Sequence, residues 1–249
     1  MKKLIKSILP ESIYLFLNKI RLFVINFRYK SKNNTEIFSE IYNKKLWNKK
    51  SNRLFDSGTG SHEKSIVEKY SEAINSFISE QKYVVVDLGC GDFNIAEQYY
   101  KNCKKYYGID VVPDLISELN KRYNNDNAEF LNLDAALDDL PDGDVILIKE
   151  VLQHLTNSDI QKIALKLNKY KYTIVTESFP FNLAKPNLDK IKGPLSRSYR
   201  NSAVILHEHP FNLVYRKKTE LLKIYRKDIG YLITYLYEKW YFSRLYIYL

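Results

Sequence analysis

The stretch Val84-Val85-Val86-Asp87-Leu88-Gly89-Cys90-Gly91, with Asp110 nineteen residues after Gly91, constrains this chain more than any other feature. Three β-branched residues followed by an acid and Gly-x-Gly read as a buried parallel strand running into a tight turn. Tyr107-Gly108-Ile109-Asp110 reads as the neighbouring strand, also ending in an acid. In an open α/β sheet, ligands bind beyond the carboxyl ends of such strands, so both acids should face one crevice.

The loop excludes two common nucleotide-binding designs. A dinucleotide fingerprint needs a third glycine three residues after the second, and Asn94 stands there, preceded by Phe93. No Lys-Ser or Lys-Thr pair follows, so the loop is not a phosphate-cradling P-loop either. Asp87 would repel a pyrophosphate but tolerates a cationic ligand. S-adenosylmethionine (SAM) carries a sulfonium and an ammonium group, and its ribose hydroxyls need an acceptor.

Asp87-Leu88-Gly89-Cys90-Gly91 resembles the first motif of class I SAM-dependent methyltransferases. The resemblance implies that Asp87, Gly89 and Gly91 surround the methionine end, that Asp110 binds the ribose hydroxyls, and that Val111 and Val112 pack on the adenine. Asp134, in Phe130-Leu131-Asn132-Leu133-Asp134, matches the acid that meets the adenine amino group. Cys90 and Lys149 complete the set expected to face the cofactor, whose demethylated product is S-adenosylhomocysteine (SAH). Many relatives have a glycine where Phe93 stands, so a bulkier or differently angled pocket rim is expected.

Strand and helix alternate along the core: Tyr83–Leu88, a helix near Ile95–Tyr100, Tyr106–Ile109, a helix opened by Pro113, Ala128–Leu131, Val145–Ile148, a helix after Asn157-Ser158, and Tyr172–Thr176. The pattern predicts an α/β fold: a doubly wound, mostly parallel, Rossmann-like sheet, preceded by N-terminal helices. Charge divides the chain in three. Residues 1–53 hold 13 Lys or Arg against 3 Glu, residues 54–206 hold 18 basic and 22 acidic, and residues 207–249 hold 8 and 4. The division predicts a basic helical extension (1–53), a mildly acidic SAM-binding core (54–206) and a Tyr-rich segment completing it (207–249). A helical stretch over 36–50, a glycine-rich loop Ser57–His62 that could act as a lid, and a helix capped by Ser61 and running towards Ser79 are expected before the core.

Two cysteines without paired spacing fit a reducing cytosol, and no Cys/His spacing suggests a metal. The apolar runs within residues 13–29 are too short to span a bilayer of roughly 20 residues per helix. With their interspersed lysines and arginines they suit either a helix packed on the core or peripheral contact of residues 1–30 with an anionic membrane surface. The expected location is therefore the cytoplasm, including the inner membrane surface.

Methyl transfer from a sulfonium needs alignment of the acceptor and, for a hydroxyl, removal of its proton. Glu150 and His154, four apart after the fourth strand, would share a helical face, a carboxylate orienting an imidazole. Alternatively His154 packs structurally and Glu150 caps a helix. Glu177 supplies a further carboxylate after the fifth strand. His207-Glu208-His209 offers two imidazoles before Pro210-Phe211-Asn212-Leu213, or is a solvated turn. Lys149, Arg197 and Arg200 could bind an anionic acceptor. Ile148-Lys149-Glu150-Val151 lacks the Asn/Asp-Pro-Pro-aromatic signature of base-amino methyltransferases, and the acidic core argues against nucleic acid as partner. Ser57-Gly58-Thr59-Gly60-Ser61, Val151-Leu152-Gln153-His154-Leu155 and Pro210-Phe211-Asn212-Leu213 are similar to bacterial methyltransferases of surface-polysaccharide biosynthesis. That similarity implies O-methylation of a carbohydrate or capsule precursor, or of a phosphorus-containing substituent. N-methylation of a small molecule or protein, and a non-catalytic SAM-fold partner subunit, are the alternatives.

Overall fold

The computed structural model describes residues 27–123, 127–227 and 229–240 continuously, preceded by isolated positions 13, 20 and 24. The expected N-terminal helix over 13–29 lies mostly outside the described residues, as do the last tyrosines of the chain.

Seven strands form one sheet: β1 Val84–Leu88, β2 Lys105–Asp110, β3 Ala128–Asn132, β4 Val145–Lys149, β5 Tyr172–Pro180, β6 Lys217–Arg226 and β7 Gly230–Glu238. Their order is β3-β2-β1-β4-β5-β7-β6. β1 to β5 run parallel, and β7 returns antiparallel between β5 and β6. The order reverses between β1 and β4, which places the ligand crevice beyond their carboxyl ends. Val85, Val86 and all of Val145–Ile148 are fully buried, as expected of strands covered on both faces.

Helices α1 Asn34–Asn43, α2 Lys64–Ser79, α3 Pro113–Arg122 and α4 Asn157–Lys166 surround the sheet. A capping box opens α1: Asn33 accepts from the Glu36 amide while Glu36 accepts from that of Asn33. Helix α2 starts after Glu63 rather than at Ser61, because the single helical turn Thr59–His62 ends first. The helix expected near Ile95–Tyr100 is absent; two 3-10 turns, Ala96–Gln98 and Tyr100–Asn102, stand there. Tyr99, at φ −134° and ψ −12°, leaves helical geometry between the two turns and keeps them from merging. Within the C-terminal part, β6 and β7 pair as a hairpin and β7 joins β5 across nine residue pairs; Tyr231, Tyr235 and Tyr237 are thereby packed strand residues, while Tyr225 is exposed.

Candidate active site

A cavity of about 900 Å³ opens at the carboxyl ends of β1, β2 and β4. Its inner half gathers the acids expected from the sequence. At the end of β1, Gly89 (φ 73°) and Gly91 (φ 57°) turn the chain so that the amides of Gly89 and Cys90 both donate to the Ile109 carbonyl, at 2.8 and 2.9 Å. A Cβ on Gly89 would lie 2.4 Å from Val151, and one on Gly91 would lie 2.3 Å from the Ser57 hydroxyl, so approach as well as φ demands glycine.

Asp87 is buried and accepts from the Tyr106 hydroxyl at 2.7 Å. Burial pushes its pKa up to about 6, against the opposing pull of that bond and of the Lys149 charge. Asp110 accepts from the Val112 amide at 3.1 Å and the Gly91 amide at 3.3 Å, and burial likewise raises it to about 6. Asp134, in the loop after β3, accepts from the Asn34 side chain of α1 at 3.1 and 3.0 Å. Cys90, Val111 and Lys149 also line the cavity. Three carboxylates with open acceptor capacity fit a ligand rich in hydroxyl, amino and cationic groups.

Phe93 does not narrow the rim. It keeps the left-handed conformation that a glycine would supply, and its ring turns away into a cage of Tyr100, Tyr106, Tyr123 and Phe130 with centroids 4.7–5.3 Å away. The ring is buried and is not a cavity wall.

The loop Asp56–His62 crosses the cavity as a strap. The Ser57 amide donates to Asp92 at 3.1 Å, the Asp92 amide donates to the Ser57 hydroxyl at 2.9 Å, and His62 Nε2 meets Asp92 at 2.6 Å. Asn94 donates to the Ser61 carbonyl at 2.7 Å, and Lys149 to that of Gly60 at 3.1 Å. Neither His62 nor Asp92 stood out in the sequence, since they lie thirty residues apart.

Glu150 sits beneath this strap rather than beside His154. Its φ of 56° prevents an α-helical turn, and only a 3-10 turn, Leu152–His154, follows. Its carboxylate pairs with Lys149 at 2.8 Å and Arg226 of β6 at 3.1 Å, and accepts from Ser178 at 3.1 Å. Burial would raise the Glu150 pKa, but the two cations and these hydrogen bonds outweigh it and hold the group at about 2. It therefore stays ionised and is engaged as an ion-pair centre.

His154 lines the cavity with Nδ1 3.1 Å from the Gly193 carbonyl, which fixes that nitrogen as the donor. Burial and the nearby Lys190 lower its pKa to about 4, so the ring is neutral near pH 7. Trp47 packs on it with centroids 5.4 Å apart and donates to the Pro194 carbonyl at 3.3 Å. Around them, Phe181, Asn182, Ser196, Ser198 and Asn201 complete the outer half.

The other candidates lie elsewhere. His207 is held between the Tyr237 hydroxyl at 3.0 Å and Lys218 at 3.1 Å, and His209 is exposed; neither lines the cavity. Arg197 is buried with its guanidinium committed to the carbonyls of Leu188 and Leu155, while Arg200 donates to the Asp189 carbonyl. Both are structural cations here, since backbone acceptors already occupy them. Glu177 is buried behind the wall, accepts from the Leu152 amide at 3.0 Å, and burial raises it to about 8.

Residues 85–170 match a family model described as a methyltransferase domain. The probable ribosomal RNA small subunit methyltransferase A of Methanosarcina acetivorans is 27% identical over 101 residues, 40% of this chain and 36% of the relative. The chain thus spans about a third of the length of the curated relative it matches. Among solved structures, the N-methyltransferase NodS of Bradyrhizobium japonicum with bound SAH is similar at TM-score 0.52 and 12% identity, covering 70% of this chain and 87% of that one. Human N-acetylserotonin methyltransferase with SAM is similar at TM-score 0.51 and 15% identity, covering 84% and 60%. At such identities the structures speak to fold, and the matched model describes residues 85–170. The strand order and the domain match converge: residues 85–170 match a methyltransferase domain, on the fold that the SAM-dependent methyltransferases among the similar structures share.

Proposed function

We propose that this protein methylates a hydroxyl group on a small, uncharged acceptor, with a carbohydrate or surface-polysaccharide precursor as the favoured class. The reading rests on the outer half of the cavity, where every charged side chain of the Lys149–Glu150–Arg226 group already has a protein partner. What remains for an acceptor is aromatic and neutral-polar: Trp47, Phe181, Gln153, Asn182 and two serines. Rings that stack on sugar faces, beside hydroxyls and amides, suit a polyol. A phosphate-bearing acceptor would have to compete with Glu150 for its two cations, which disfavours the phosphorus-containing alternative.

Asp87, Asp110 and Asp134 would hold the cofactor, which supplies an electrophilic methyl group. His154 offers neutral Nε2 to the acceptor hydroxyl, since its Nδ1 proton is given to Gly193. The proton that leaves the acceptor passes through Nε2 to water, because burial disfavours a lasting imidazolium.

The relative named as a ribosomal RNA methyltransferase and the N-methyltransferases among the structural neighbours define the alternatives, a base or amine acceptor. SAH release can be followed with neutral sugars and oligosaccharides, phosphorylated sugars, small amines and RNA oligonucleotides. Turnover with a hydroxyl-bearing sugar is expected; turnover confined to amines or RNA would overturn the reading. Peripheral membrane contact is a second element of the proposal. No helix among the described residues is long and apolar enough to cross a membrane. Ile13, Ile20, Val24 and Phe27 are helical, exposed and spaced to share one face, within a segment rich in Lys and Arg. Flotation with anionic vesicles should fall on deletion of residues 1–30, and equal flotation would end this element.

A further inference from the structure

Helix α1 lies outside the matched domain, yet Asn34, Phe38 and Tyr42, one turn apart on a single face, line the same cavity as the strand-end acids. Asn34 is 5% exposed and stands in the first turn, fixed by the capping box just before it. A carboxylate only accepts, so the Asn34 amide must present its nitrogen to Asp134, and it does so to both oxygens, at 3.1 and 3.0 Å. The Asn34 carbonyl oxygen is left buried without a hydrogen-bond partner, a cost that a purely structural asparagine would avoid. On Asp134, Oδ1 also accepts from the Ala136 amide at 2.9 Å, whereas Oδ2 takes the Asn34 amide alone and keeps a lone pair.

We infer that Asn34 is a positioning residue for cofactor recognition: it orients the Asp134 carboxylate so that Oδ2 accepts from the 6-amino group of the adenine. The inference rests on the SAM reading of the cavity. It makes α1 the purine-side wall of the site, and it gives the chain a means of rejecting a 6-oxo purine. An oxo group brings an acceptor against a carboxylate that cannot donate.

Calorimetric titration of the full-length protein with SAH and with S-inosylhomocysteine, its 6-oxo counterpart, reads this directly. The wild type should bind SAH about tenfold or more tightly than the oxo analogue, the effect of one charge-assisted hydrogen bond. Asp134→Asn sets the ratio expected without the acceptor carboxylate. Asn34→Ala, and the milder Asn34→Ser, should bring the wild-type ratio down towards that value, chiefly by weakening SAH. Equal weakening of both ligands, or an unchanged ratio, in whichever Asn34 variant melts cooperatively would assign Asn34 a structural role only and overturn the inference. Failure of the wild type to bind SAH would instead overturn the SAM reading itself.

Discussion

Replacing Glu150 tests the ion-pair centre under the strap. Lys149 and Arg226 hold the carboxylate at about 2, well below its ordinary 4.5, so the ionised form is strongly favoured. Glu150→Ala leaves Lys149 and Arg226 side by side without their counter-ion, a change that typically costs about 3–5 kcal/mol. At about 2–4 °C per kcal/mol for a chain of this size, melting should drop by about 6–20 °C at pH 7. The backbone gives an internal control. Glu150 holds φ 56°, so Glu150→Gly removes the same carboxylate while relieving about 1 kcal/mol of strain. Glycine should therefore melt a few degrees above alanine. The pH sign follows from a lowered carboxylate: its contribution is complete above about 4.5 and is lost as pH falls towards about 2. The gap between wild type and Glu150→Ala, read by scanning calorimetry, should thus close on acidification. An alanine variant melting within about 2 °C of wild type at pH 7, or a gap that widens in acid, would refute the reasoning.

Asp87 and Asp110 titrate the other way. Both are raised by burial to about 6 from 3.8, so their contribution to stability of the ligand-free protein is complete below about 4 and lost as pH rises through 6. SAM affinity should show the opposite trend and fall as pH drops through about 6, measured by titration at constant ionic strength. Phe93→Ala should cost about 3–5 kcal/mol in chemical denaturation, since the ring fills an aromatic cage, while SAM affinity changes little because the ring is not a cavity wall. His154→Ala should lower kcat at least about tenfold with SAM affinity retained, whereas His207→Ala should leave kcat within about twofold. Comparable losses in both would remove His154 from its assigned place.

Strands β1 to β5 and their terminal acids were legible because buried parallel strands are written as local apolar runs and their ends as local turns. What escaped is non-local or conformational. The left-handed backbone at Phe93 and Glu150 leaves no mark in residue type, so the spacing of Glu150 and His154 suggested a helical face that does not form. The partners of Glu150 and Asp134 come from far along the chain, Arg226 and Asn34, 76 and 100 residues away. One local signal was available: the Asn33-x-x-Glu36 capping box marks the start of α1, placing the helix two residues earlier than expected. A division at residue 53, drawn on charge, sets α1 apart from a cavity that it helps to line. Charge follows surface, and the cavity follows topology.

Calorimetric titration of SAM into the full-length protein and into Asp110→Ala addresses the central claim, that the strand-end acids form a cofactor site. The expected result is one-to-one binding by the wild type and its loss in a variant that melts as a folded protein. No binding by the wild type, or equal affinity in Asp110→Ala, would contradict it.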